Sequence, residues 1–223
     1  MKLEKVIKRW YDDACGTALA MELVGERWSL LIVRELMFGP RRFGEIKNGL
    51  GGISANVLTQ RLEGLEVAGI LTRRKLPPPA SVQVYELTEW GYQSETAIQE
   101  LGRWAVRSPA HDPTLPLSPA SLMMSFRTML AREAVGDLDA VIGFRLGPDV
   151  FRTRLASTGF TVARAEPGDA ALTFTGVPPA IAAVVYGGLP LDHAEAADML
   201  TLTGDRALAE RFVTLFPLPP KTT

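Results

Sequence analysis

The chain has 223 residues, of which 47% are apolar and 22% charged, and its formal net charge is −1. At about one and a half times the usual 150-residue domain, this length and composition imply one large or two small globular domains with real cores. No run approaches the roughly 18 apolar residues of a membrane span, and residues 1–10 lack the apolar stretch of a secretory signal, so a cytoplasmic protein with no membrane partner is expected.

Residues 17–24 read as a first helix, with Leu19, Leu23 and Val24 apolar and Gly25 ending it. Residues 27–38 are apolar nearly all round, which marks a buried central helix stopped by Gly39-Pro40. A short helix is expected over 42–48. The next helix starts at Ser54, a good N-cap, with Ile53 and Leu58 placed as a hydrophobic staple. Leu58, Leu62 and Leu65 then form one stripe, and Gly69 ends the helix. Asn56, Thr59, Gln60 and Glu63 fall on the opposite face.

Residues 70–76 and 82–88 read as two strands around a loop at Pro77-Pro78-Pro79, with Tyr85 and Leu87 on one strand face. A long helix over about 89–106 closes this half. Residues 108–119 hold four prolines in twelve residues and read as a linker.

The second half opens with Ser118-Pro119, an N-cap followed by Pro at the first helical position, and a helix over 120–132. Strands are expected over 138–146, 150–155, 161–165, 171–175 and 199–203. Helices are expected over 179–186 and 205–215. The fold class is therefore α+β throughout, with a mixed or antiparallel sheet in the second half.

A buried helix, a short helix and a capped helix followed by a two-stranded hairpin is the order of a winged helix-turn-helix. A major groove admits one helix, which must be held by its apolar back while polar side chains face the bases. Asn and Gln suit bidentate contact with adenine, and Thr meets a polar edge or a thymine methyl. The candidate DNA-binding residues are Ser54, Asn56, Thr59 and Gln60 on the capped helix, with Arg41, Arg42, Lys47, Arg61, Arg73, Arg74 and Lys75 placed to neutralise phosphates. Residues 1–108 carry 15 basic and 13 acidic side chains, against 9 and 12 in 109–223, so any nucleic-acid contact belongs to the first half. On an isolated helix the same polar face would be ordinary solvated surface; the tandem of elements is what favours a duplex.

Several runs carry a family likeness. They are Cys15-Gly-Thr-Ala-Leu-Ala-Met-Glu-Leu-Val-Gly-Glu-Arg-Trp28, Leu30-Leu-Ile-Val-Arg-Glu-Leu36, Gly39-Pro-Arg-Arg-Phe-Gly-Glu-Ile46, Gly52-Ile-Ser-Ala-Asn-Val-Leu-Thr-Gln-Arg-Leu62, Leu65-Glu-Val-Ala-Gly-Ile70 and Tyr85-Glu-Leu-Thr88. Over about residues 12–107 the chain resembles the HxlR-type winged-helix transcriptional regulators. The resemblance implies a homodimer on an inverted-repeat operator in double-stranded DNA, contacts between protomers through the first and last helices of the domain, and readout by the helix that Ser54 caps. Gly16 stands where the family often has Pro, and the wing tip 77–81 has no basic residue. Some members of this family use a cysteine at the position of Cys15 to sense oxidants or electrophiles. Helix-terminal amides, with Lys5, Lys8 and Arg9 near in sequence, would favour its thiolate, although a single Cys is more often a small packed residue.

In the second half, Asp169-Ala-Ala-Leu-Thr-Phe-Thr175, Val184-Val-Tyr-Gly-Gly188 and Leu202-Thr-Gly-Asp-Arg-Ala-Leu-Ala209 resemble the sterol-carrier-protein-like fold over roughly 120–216. That resemblance implies an apolar tunnel and a small hydrophobic ligand. Met123, Phe126, Met129, Phe144, Phe174 and Val184 are its candidate pocket residues, and core packing is the competing role for each.

The expected division is 1–108 for a winged helix-turn-helix DNA-binding and dimerisation domain, 109–118 for the linker, and 119–223 for a sterol-carrier-protein-like ligand-binding domain. No nucleophile elbow, phosphate loop or His-Glu-x-x-His run is present, and His193 beside Asp192 reads as solvated loop, so no catalysis, no metal and no cofactor are expected. A single cysteine makes no internal disulfide. The alternatives are a lipid- or acyl-chain carrier that uses the winged helix mainly to dimerise, and an enzyme acting through the second half.

Overall fold

The structure is a computed structural model and describes residues 11–222. The chain forms two compact units that divide between Ile98 and Gln99.

The first unit contains α1 (Gly16–Val24), α2 (Ser29–Leu36), α3 (Phe43–Gly49), α4 (Ala55–Val67), β1 (Leu71–Lys75), β2 (Gln83–Leu87) and α5 (Glu89–Gln93). The division falls within α6 (Glu95–Ala105). In α2, Ile32, Val33 and Leu36 are fully buried, and the helix packs against α3, α4 and β2. It is shorter than the 27–38 span expected, because Trp28 sits in the left-handed region at φ 82° and cannot belong to the first helical turn. β1 and β2 pair antiparallel, with Leu71 opposite Leu87 and Arg73 opposite Tyr85. A bridge between Arg41 and Tyr85 adds a third short rung, held by Arg41 N–H to Tyr85 O at 2.9 Å and Tyr85 N–H to Arg41 O at 2.8 Å.

The single helix expected over 89–106 is broken at Ser94. Both the amide and the hydroxyl of Ser94 donate to the Gly91 carbonyl, at 3.2 and 2.6 Å. That tight three-residue turn replaces the four-residue α-helical repeat. Thr88 starts α5 by accepting the Gly91 N–H at 3.0 Å. Neither α1 nor α6 has a buried residue, and Leu19, Met21, Leu101 and Trp104 are exposed.

The second unit continues with α7 (Pro119–Met129), α8 (Arg132–Val135), β3 (Ala140–Leu146), β4 (Asp149–Ala156), β5 (Gly159–Ala163), β6 (Leu172–Gly176), α9 (Pro178–Val185), α10 (Leu191–Ala196), β7 (Leu200–Gly204) and α11 (Arg206–Phe212). The sheet order is β5-β4-β3-β6-β7, antiparallel except for β3 and β6, which run parallel. Phe144 lies level with Phe151 on one side and Phe174 on the other. α9 packs on β6, α11 on β6 and β7, and α7 on β5. Between these helices and the sheet, Phe126 contacts Phe216, Phe212 and Phe144 at centroid distances of 4.7, 5.4 and 5.8 Å.

Element ends in this unit shift from expectation by up to three residues, and α8 and α10 fall where no separate helix was expected. α7 stops at Met129 rather than Arg132, because the chain turns extended at Leu130 and the Ala131 amide bonds Leu215 O at 2.9 Å. His193, expected in a loop, lies on α10, whose Leu191 and Ala194 are buried one turn apart while His193 itself stays exposed. Among the described residues no helix is long and apolar enough to cross a membrane.

Candidate nucleic-acid interface

α4 is built by its cap and its back. The Ser54 hydroxyl accepts the Val57 N–H at 3.3 Å, and Gly69 closes the helix at φ 71°, a conformation that favours glycine. Leu58, Leu62 and Leu65 are at most 1% exposed. With the back held this way against α2 and β1, the other side must face outward. Asn56, Thr59, Gln60 and Glu63 are all exposed there, as their spacing requires.

The candidate cations are distributed less simply. Arg42, Lys47 and Lys75 are exposed. Arg61 pairs with Glu26 at 3.2 Å, Arg73 with Glu66 at 3.2 Å, and Arg74 with Glu86. Arg41 is half-buried and lies 3.8 Å from Glu45, whose carboxylate also accepts the Arg42 N–H at 2.8 Å at the start of α3. The acidic partners Glu26, Glu66 and Glu86 went unread in the sequence. One of them was within reach: Arg74 faces Val84, so Glu86 is its diagonal neighbour across the hairpin, on the same side. Exposed pairs of this kind are worth about 0–1 kcal/mol, so a phosphate can displace the carboxylate at little cost.

Cys15 is exposed at the N-cap of α1. The Thr17 amide, then the Thr17 hydroxyl and the Ala18 amide, hold its thiol below the ordinary value, against a small opposing effect of burial. Lys5, Lys8 and Arg9, expected to add to this, lie outside the described residues.

In the second unit Met123, Phe126, Phe144 and Phe174 are fully buried, with Val184 and Met129 at 4% and 7% exposure. All six are buried, and the three phenylalanines among them pack ring against ring. A cleft of about 740 Å³ on this unit is lined by other residues, among them Arg145, Val150, Val177, Ala180 and Met199. Among the described residues, no group of three or more His, Cys, Asp and Glu side chains could hold a metal ion.

The HxlR-like helix-turn-helix family pattern matches residues 23–112. The HTH-type transcriptional regulator YodB of Bacillus subtilis is 41% identical over 86 residues, which are 39% of this chain and 77% of YodB. The HTH-type transcriptional regulator Rv3095 of Mycobacterium tuberculosis is 39% identical over 104 residues, 47% of this chain and 64% of that one. Among solved structures, the reduced form of YodB aligns at 36% identity over 45% of this chain and all of that one, with a TM-score of 0.40. On the identity and extent of the match with YodB, the chain belongs to the HxlR-like helix-turn-helix family.

Proposed function

We propose that the protein is a cytoplasmic transcriptional regulator that binds double-stranded DNA as a homodimer, with one α4 in each half of an inverted-repeat operator. The observation that carries this reading is the two-sidedness of α4, with its leucines sealed in and Asn56, Thr59 and Gln60 exposed on the other side. Asn56, Thr59 and Gln60 read base edges, Ser54 holds the start of the helix at the groove, and Arg41, Arg42, Lys47, Arg61, Arg73, Arg74 and Lys75 meet phosphates. The exposed apolar side chains of α1 and α6 supply the surface between protomers. Occupancy of the operator blocks polymerase without a further contact surface, so the protein represses rather than activates.

Residues 1–108 form the DNA-binding and dimerisation domain in this reading, 109–118 the linker, and 119–223 a sterol-carrier-protein-like domain with no catalytic role. The five-stranded sheet with helices packed on it supports that last assignment. A small apolar ligand there acts on DNA binding only through unequal affinity for the DNA-competent and incompetent dimers. Because Met123, Phe126, Met129, Phe144, Phe174 and Val184 are packed, such a ligand must open that core or use the cleft beside Val177 and Met199. Cys15, exposed and with its thiolate favoured, is the second input.

Selection of duplexes from a random library by the full chain tests the reading. A palindromic sequence is expected, bound with an affinity that falls as salt rises, because phosphate contacts release counterions. No enrichment, or binding indifferent to salt, would remove the DNA reading.

A further inference from the structure

The outer face of α4 carries a hydroxyl whose one proton is already in use. Thr59 is exposed, and its Oγ1 donates to the Ala55 carbonyl, one turn earlier, at 3.0 Å. A threonine hydroxyl has a single proton to give. Turned back onto its own helix in the common i−4 manner, it has none left for guanine O6 or thymine O4. Tetrahedral geometry at Cβ splays the methyl away from that oxygen. The outward end of Thr59 is therefore apolar, on a face otherwise made of amides and a carboxylate.

Its neighbours define what an apolar group would be for. Asn56 and Gln60 lie four residues apart on the same face. That spacing is about 6 Å along the helix axis, close to two 3.4 Å base steps. Each amide matches the N6/N7 edge of adenine, and adenine's partner displays the only base methyl in the major groove. Given that α4 enters a major groove, as proposed above, the geometry points to Thr59 as a thymine-methyl reader set between two adenine-reading amides. The operator half-site then contains A·T pairs, one of whose thymines is selected for its C5 methyl rather than for its hydrogen-bonding edge.

Deoxyuridine pairs as thymine does and lacks only that methyl. Once a binding sequence has been selected with the full chain, each thymine of one half-site is replaced in turn by deoxyuridine and affinity is measured by fluorescence anisotropy. One position is expected to weaken binding about three- to five-fold, the worth of one buried methyl group. Thr59→Val keeps the methyl and discards the hydroxyl, and should retain that discrimination. Thr59→Ser keeps the hydroxyl and discards the methyl, and should bind both operators alike. Thermal melts confirm that both variants fold. The assignment is overturned if no deoxyuridine substitution matters. It is equally overturned if Ser discriminates and Val does not, which would tie the discrimination to the hydroxyl instead of the methyl. Failure to select any sequence would strike the DNA reading itself, whereas a selected sequence indifferent to deoxyuridine strikes only the role of Thr59.

Discussion

Cys15 shows how local backbone geometry sets the chemistry of one residue. Its thiol is exposed, and the donors around it belong to Thr17 and Ala18, in the first turn of the helix it caps. The folded chain therefore holds this proton less tightly than the unfolded chain does. Stability from that source appears as pH rises above the folded value and is lost as pH falls through it. Alkylation by iodoacetamide followed against pH should show a midpoint below that of the urea-unfolded chain, and Thr17→Val should move it upward. Coincident midpoints would show that the α1 amides do nothing to the thiol. Cys15→Ser should leave DNA binding unchanged while removing release by diamide; release unchanged in that variant would discard the sensing role. Position in the sequence was enough to nominate Cys15. The hydroxyl of Thr17 as a donor was not foreseeable, because it depends on a rotamer.

α4 is the element most fully legible before its structure was known. Cap, leucine stripe and glycine stop all follow from local rules, and local rules dominate where a helix is amphipathic and well capped. Leu62 is 1% exposed, so Leu62→Ala should destabilise the first unit by about 2–5 kcal/mol in guanidinium unfolding. A change below about 0.5 kcal/mol would mean that the stripe is not core. The break at Ser94 was not legible, because it depends on the Ser94 hydroxyl turning back onto the Gly91 carbonyl, which no repeat in the sequence marks; nor was the close fit of Gly91 against a distant segment. A Cβ on Gly91 would come within 2.1 Å of the Ile70 carbonyl oxygen. α10 escaped for a related reason: with six residues, its only apolar signal is Leu191 and Ala194 one turn apart. Charge pairing across elements was the other blind spot. Arg74→Ala, which removes the cation that Glu86 pairs with, should weaken DNA binding and make its salt dependence shallower, by about one counterion in each half-site. An unchanged slope would place Arg74 away from the backbone of the duplex.

The whole molecule joins an HxlR-like helix-turn-helix to a second unit with its own sheet and aromatic core. The sequence anticipated all five strands of that sheet and left it mixed or antiparallel, but did not say that β3 and β6 are the pair that runs parallel, because register and direction are settled by packing far along the chain. The same limit applies to its pocket residues, whose apolar character suits a tunnel and a solid core equally well. In the proposed function, the amide side of α4 reads bases. Titration of the selected operator with Asn56→Ala and Gln60→Ala chains, against wild type and against an unrelated duplex, tests it most directly. Each variant is expected to lose about ten- to a hundred-fold in affinity for the operator and little for the unrelated duplex. Operator affinity equal to wild type in both variants would contradict the account.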